Sequence, residues 1–491
     1  MSPASRIRPI AGTRDVLSRN SNALLILVCL AQFMVILDVA IVNVALPAIR
    51  GSLGFSTTGL QWVVNAYTLT FAGFLLLGGR ASDLLGRRRV FLAGTALFSL
   101  ASLVSAVAGS PGVLLGARAV QGVGGAVISS ASLAIITSCF EEGAPRNRAL
   151  GAWGALGGLG ATSGVLLGGV LTQGFGWPAI FVINVPIGAA IVLAGPRIVP
   201  EGRSALDHRH FDLSGAVMVT VGMVALVYGI VRTDVLGWGS AGVLAPIAAG
   251  AALLALFVLI EGRWATAPLM PLGIFRMPLL RAANLVILLL YSAVFAMWFF
   301  LSLYLQQDLG DDAIQTGLAF LPMTLSVATA ATLAPRLVRR FGARVTLSAG
   351  MLLATAGLAL LTGVRPDGTY LAQVLPGGIL AALGLGLSLV PATITAVQGV
   401  PAAQSGLVSA LLNSSRLVGG ALGLAVLTTL AESQTHSRLA AGASAALAQT
   451  DGFKLAFLVG AALCFAGAVL AAVLLRTGDE RVTEQVAEAG A

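Results

Sequence analysis

Apolar runs of about 20 residues recur along this chain from about Leu24 to Leu475, separated by short polar or basic stretches. A helix needs about 20 predominantly apolar residues to cross the hydrocarbon core of a bilayer. The pattern predicts an all-α polytopic membrane protein of about fourteen spans. Six come first, over about 24–46, 58–78, 90–109, 112–138, 149–172 and 178–198. A polar linker, 201–211, contains Arg203, Asp207, His208, Arg209 and His210. A helical hairpin over 212–261 and a second linker over 262–281 come next. The last six spans cover about 282–305, 315–335, 345–363, 371–397, 406–430 and 453–475, with polar tails at 1–23 and 476–491. The first run is too long for a signal-peptide core and is expected to remain as a span.

Six, two and six suggest two related six-helix bundles, 24–200 and 282–475, with a two-helix insertion between them. Weak internal symmetry agrees: Gly86-Arg87-Arg88 follows the second span of the first six, and Gly342-Ala343-Arg344 follows the second span of the last six. Transporters are commonly built from such repeats, with the site where the repeats meet.

Composition sharpens the picture. Hydrophobic residues make up 57% of 491 and charged residues only 10%, against about 25% charged in a soluble protein. The net charge of +9 does not indicate nucleic acid. Of the 29 basic residues, 22 fall in one alternating set of loops and tails and 5 in the other, with Arg118 and Arg416 inside spans. That bias is the positive-inside rule, and it puts both termini in the cytoplasm. The scarcity of lysine, only Lys454 against 28 arginines, fits a high-GC bacterial genome and hence the bacterial inner membrane.

Candidate chemistry is sparse. Asp38, within Leu37-Asp38-Val39-Ala40-Ile41-Val42-Asn43, is a carboxylate at membrane depth, and such groups face a bundle interior or a water cavity. Desolvation favours a neutral carboxyl and a nearby cation favours the carboxylate; a group held between the two can load and release a proton. Asp38 lies about 12 Å below the outer end of its span and Arg118 about 9 Å below the same surface, so the two are expected to be close, directly or through a water or Asn65. The alternatives are a permanently paired structural carboxylate and an arginine reaching for headgroups. Gly160, Gly164 and Gly168 share one helix face, for packing or for sliding between conformations. Arg416 either lines a cavity with Asn413 or braces the basic side. Asn43, Trp62, Asn65 and Tyr67 are further candidates for a cavity wall. Glu261, Asp212 and Asp234 are expected within reach of water at span ends.

Several activities are not expected. The surroundings of Lys454 are no phosphate-binding loop, there is no G-x-S-x-G elbow, and the three histidines lie in loops. The chain is expected to be no enzyme, to hold no metal and no cofactor, and to bind no nucleic acid.

Four segments together resemble one family. They are Leu37-Asp38 to Pro47; the loop Gly79-Arg80-Ala81-Ser82-Asp83-Leu84-Leu85-Gly86-Arg87-Arg88; Arg118-Ala119-Val120-Gln121-Gly122; and Gly160 to Gly169 followed by Phe181-Val182-Ile183-Asn184. The chain resembles the fourteen-span drug:proton antiporter branch of the major facilitator superfamily over nearly its whole length. The resemblance implies the major facilitator fold, Asp38 as a proton or substrate carboxylate tuned by Arg118, and Gln121 and Gly122 in a fourth-span coupling motif. It implies a gate loop of Gly79, Asp83, Gly86, Arg87 and Arg88, with Asp83 latched to the start of the eleventh helix. Gly160, Gly164, Gly168 and Gly169 would form the antiporter motif; the family's proline after the middle glycine is Val165 here, so no proline kink is expected. The partners implied are a small amphipathic substrate, protons and the bilayer, with a monomer driven by the proton gradient. A dedicated exporter of one endogenous metabolite and a proton-coupled uptake carrier are the alternatives.

Overall fold

The computed structural model describes residues 13–140, 144–201, 213–237, 239–263, 272–398, 400 and 405–475. Among them there is no strand. The first group of helices is α1 (Thr13–Leu53), α2 (Thr57–Leu85), α3 (Arg87–Ala106), α4 (Pro111–Cys139), α5 (Ala144–Phe175), the single turn α6 (Ala179–Val182) and α7 (Asn184–Ile198). A pair follows, α8 (Leu213–Leu236) and α9 (Ala241–Arg263). The last group is α10 (Pro278–Leu303), α11 (Ala313–Leu361), α12 (Leu375–Val397), α13 (Ser405–Ala440) and α14 (Ala445–Leu474). Eleven helices among the described residues are long and apolar enough to cross a membrane.

Local chemistry sets the helix ends. Ser56 caps α2 by accepting from the Gly59 N–H at 2.9 Å, and Asp312 with Gln315 closes a reciprocal capping box on α11. Pro111 and Pro278 occupy first-turn positions, where a missing N–H costs nothing.

The expected loop at Gly79–Arg88 is a single residue. α2 continues through Leu85, and Gly86 alone turns the chain with φ 103° before α3 starts at Arg87. Only glycine takes that backbone without strain, so the motif's polar residues ride on helix rather than loop. Gly342, with φ 82°, breaks the 49-residue α11 in the same way. The two sequence echoes are therefore two copies of one geometric break.

The pair α8–α9 is packed on its own glycines: a Cβ at Gly250 would sit 2.6 Å from the Gly222 carbonyl. α9 is mostly open to the surroundings, but α8 is wedged between the groups. Its Met223, Val227 and Val231 join Leu69 of α2 and Ala421 and Ala425 of α13 in one apolar cluster. Trp62, expected on a cavity wall, is half-buried and packs against this cluster. Glu261, expected near water, is 5% exposed, a correction to that expectation. Asp212, and the side chain of Asp234, lie outside the described residues. α14 begins eight residues earlier than the apolar run suggests, because Ser444 caps it at the Leu447 N–H.

Candidate functional site: a buried ion pair and two bundle contacts

Asp38 lies near the middle of the apolar part of α1 and is 0% exposed; Arg118 of α4 is 1% exposed. Arg118 Nη1 donates to Asp38 Oδ2 at 2.5 Å. The other carboxylate oxygen, Oδ1, accepts from Gln121 Nε2 at 2.8 Å and from Asn184 Nδ2 at 2.9 Å. Arg118 also donates from Nη1 to Gln121 Oε1 at 2.7 Å and from Nε to the Val63 carbonyl at 2.9 Å. Ser102 Oγ accepts from Gln121 at 2.7 Å and from Asn184 at 3.3 Å. The guanidinium stands 4.4 Å over the Tyr67 ring and 5.7 Å from that of Phe181. Six helices, the single turn α6 included, thus gather around one carboxylate–guanidinium pair with no exposed edge.

A buried charge is tolerable only when paired and hydrogen-bonded, and this pair is both. The direct contact expected from the depths of Asp38 and Arg118 is present, and Asn65 does not mediate it. Asn65, 1% exposed, has no hydrogen-bond partner for either amide atom among the described residues, and neither has Gln61 one turn earlier. Tyr67 packs under Arg118 rather than on an open wall. Asn184 and Ser102 are members of the site that residue type alone did not single out. An asparagine within an apolar span is the signal for Asn184; a serine among the many of α3 gives none for Ser102.

The glycine face of α5 packs on α1 beside Asp38. A Cβ at Gly160 would lie 2.8 Å from Ile36, at Gly164 2.6 Å from Ala40, and at Gly168 3.0 Å from the Ile41 carbonyl. Gly169 instead faces the other group of helices, where a Cβ would lie 2.5 Å from the Ala313 carbonyl. Gly122 lets α4 approach the Tyr67 carbonyl of α2, which a Cβ would meet at 2.3 Å.

Call the end bearing Arg87–Arg89 the basic end and the opposite one the far end. At the basic end, Arg88 pairs with Glu201 at 2.8 Å and donates to the Pro196 carbonyl at 3.3 Å, tying α3 to the end of α7. Gly79 lies alongside Ser130 of α4. The Asp83 side chain, and the segment before α13 that it was expected to latch, lie outside the described residues. At the far end, five hydrogen bonds join the two groups of helices: Ser302 Oγ to the Asn43 carbonyl (2.6 Å), Gln306 to the Val44 carbonyl (2.9 Å), Arg50 to Gln307 (3.2 Å), Gln173 to Asp312 (3.2 Å), and the Ile314 N–H to Gln173 (3.2 Å). Asn43 turns its own amide onto the Val39 carbonyl. Beside this seam, partial burial and the neighbouring Asp312 carboxylate push the Asp311 carboxyl above its ordinary range. Asn413 and Arg416 are half-buried on α13, with Arg416 over the ring of Tyr291. Among the described residues no cluster of His, Cys, Asp or Glu has the makings of a metal site.

The chain belongs to the Major Facilitator Superfamily, whose family model matches residues 28–424. It is 43% identical over 418 residues to the cephamycin export protein CmcT of Amycolatopsis lactamdurans, covering 84% of this chain and 85% of that one. It is 39% identical over 469 residues to the puromycin resistance protein pur8 of Streptomyces alboniger, covering 94% and 92%. Among solved structures, an inward-facing, unoccupied bacterial homologue of the lysosomal transporter Spinster aligns with a TM-score of 0.67 at 15% identity, over 94% of this chain and 98% of that one. That likeness concerns the fold. The family makes this chain a transporter of small molecules rather than an enzyme, located in a bacterial cell membrane.

Proposed function

We propose that this protein is a proton-coupled antiporter that exports small amphipathic drugs or antibiotics from the bacterial cytoplasm by alternating access of two six-helix bundles. The observation that carries the reading is the fully buried Asp38–Arg118 pair. With Asp38 ionised, the pair and its amides bind α1 to α4 and α7. Protonation removes the charge attraction and leaves Arg118 with the Val63 carbonyl, Gln121 and the Tyr67 ring. α1 carries that change outward: Asn43 and Val44, one to two turns beyond Asp38, offer the carbonyls that hold Ser302 at the end of α10 and Gln306 just after it. The glycine face of α5 follows α1 and continues at Gly169 into α11. One proton thus bears on the closure of the far end, while substrate occupies the opposite access state.

The same reading counts fourteen crossings: the eleven spans above, α2, α8, and the second arm of α11 beyond Gly342. It takes both termini and the basic end as cytoplasmic, and the bundles as 24–200 and 282–475 with the hairpin 212–261 between them. The protein would work as a monomer, with no cofactor beyond the proton gradient. Asp38→Asn is expected to abolish efflux driven by an imposed pH gradient in vesicles while leaving membrane insertion and helical content intact. Unchanged gradient-driven efflux in that variant would overturn the coupling role.

A second reading, a dedicated exporter of one antibiotic, is favoured by the relatives: each of several is named for a single compound, cephamycin, puromycin, tetracenomycin C or methylenomycin A. A panel of unrelated antibiotics against a susceptible host expressing this chain separates the two. Resistance to one compound supports the dedicated exporter, and resistance to several unrelated ones supports the polyspecific pump.

A further inference from the structure

Arg416 is the second arginine inside a span, and its surroundings differ from those of Arg118. It lies eleven residues into α13, about 16 Å along the helix. Its guanidinium stands 5.7 Å from the Tyr291 ring, and Tyr291 is the midpoint of the 26-residue α10. The cation is therefore at mid-membrane depth. Its Nε is buried without a hydrogen-bond partner, and no carboxylate pairs with the guanidinium among the described residues. The Ser414 hydroxyl nearby is likewise buried and unpartnered. A cation at this depth is costly and is normally paired; Arg118 has Asp38, and Arg416 has only a ring face.

The neighbouring surface is aromatic. Most of α10 is fully buried, but Tyr291, Phe295 and Trp298 are partly exposed at spacings of four and three, which is one helix face. Tyr291 and Phe295 lie 5.7 Å apart, and Trp298 stacks edge-on to Phe320 of α11 at 5.0 Å. Leu417, next to Arg416, packs against the core of the first bundle, so this stretch of α13 borders the seam between the bundles.

We propose that Arg416 and the Tyr291–Phe295–Trp298 stripe form the subsite for an anionic group carried on a flat apolar compound. The guanidinium fork accepts a carboxylate, sulfonate or phosphate through paired hydrogen bonds, and the rings take up the apolar body. The proposal rests on the transporter reading and adds the chemical class of the substrate. The unpaired cation in the second bundle is matched to substrate charge, while the paired one in the first serves the carboxylate of Asp38.

The test is equilibrium binding to the full-length protein in phosphatidylcholine nanodiscs, which requires no transport. Fluorescein and rhodamine 6G share a xanthene skeleton and carry opposite charges. The wild type is expected to bind fluorescein. Arg416→Gln should weaken that binding roughly tenfold or more, and Arg416→Lys should retain part of it. Rhodamine 6G affinity should hold or rise in both variants. Absence of fluorescein binding to the wild type, an unchanged affinity in Arg416→Gln, or equal losses for both dyes would overturn the proposal. Adding phosphatidylglycerol to the nanodiscs separates the sources of the anion. If this lipid competes with fluorescein in the wild type and not in Arg416→Gln, a headgroup is the occupant and the substrate assignment fails. Equilibrium binding of fluorescein needs no proton gradient, so loss of the proton-coupling reading leaves this measurement standing.

Discussion

Arg118 makes four kinds of contact at once: a carboxylate, a side-chain amide, a backbone carbonyl of α2 and a ring face. A lysine can reach one or two of these and not the set, because its ammonium is a single point rather than a planar fork. Arg118→Lys is therefore expected to fail in efflux despite conserving charge. Arg118→Ala is expected to be worse for stability, because it strands a buried carboxylate, at a cost of about 3–5 kcal/mol. The double variant Asp38→Asn with Arg118→Gln leaves no buried charge and should recover part of that loss. Thermal unfolding in one detergent compares the three; a double variant less stable than Arg118→Ala would contradict the buried-charge argument. The residue-scale pairing was legible in the sequence, since two charges at similar depth in an apolar chain have few other partners. The rest of the shell was not, because Asn184 reaches Asp38, and Ser102 reaches Asn184 and Gln121, only through the relative rotation and height of α3, α4 and α7.

At the scale of elements, α5 presents two kinds of glycine. Gly164 meets α1 so closely that a Cβ would lie 2.6 Å from Ala40 and 2.9 Å from the Leu37 carbonyl, whereas Gly151 has nothing within 4 Å. Gly151→Ala should be neutral or stabilising by about 0.5–1 kcal/mol, from the ordinary helix preference. Gly164→Val should push α5 off α1 next to Asp38, lowering the melting temperature and efflux together. Equal behaviour of the two variants would mean that the glycine face is not a packing surface. The three-glycine spacing was readable as one face. Its partner was not, nor was the use of Gly169, one residue on, against the other bundle. The motif around Gly79–Arg88 carries the same lesson: its residue types were recognisable, but only the backbone reveals a one-residue break at Gly86, repeated at Gly342.

At the scale of the whole molecule, the two bundles are pinned at the far end by hydrogen bonds that join Asn43, Val44, Arg50 and Gln173 to Ser302, Gln306, Gln307 and Asp312, between the end of α10 and the start of α11. Alternating access requires these to part. Cysteines replacing Arg50 and Gln307, in a background lacking Cys29, Cys139 and Cys464, should be joined by a short bifunctional thiol reagent, and a cleavable version should stop efflux until it is reduced. Undiminished transport by the cross-linked protein would mean that the far end does not open. The wedge of α8 between α2 and α13 gives a companion expectation. Thr220 of α8 fills the space over Gly73, where a Cβ would meet its hydroxyl at 1.8 Å. Gly73→Leu should displace α8, loosening the bundle seam and exposing it to proteolysis sooner than the wild type.

The sequence by itself determined the bilayer as solvent, the approximate position of most spans, and the acidic and basic side chains that must meet. These follow from run length, charge bias and the cost of a buried charge, all of which act locally or on single residues. Tertiary structure alone decided which amides close around Asp38, that α8 is a wedge in the seam rather than a peripheral hairpin, and that Arg416 stands at mid-depth against a ring with no carboxylate beside it. Those outcomes depend on helix rotation and axial offset, which packing among many near-equivalent apolar surfaces sets and no single stretch of chain encodes.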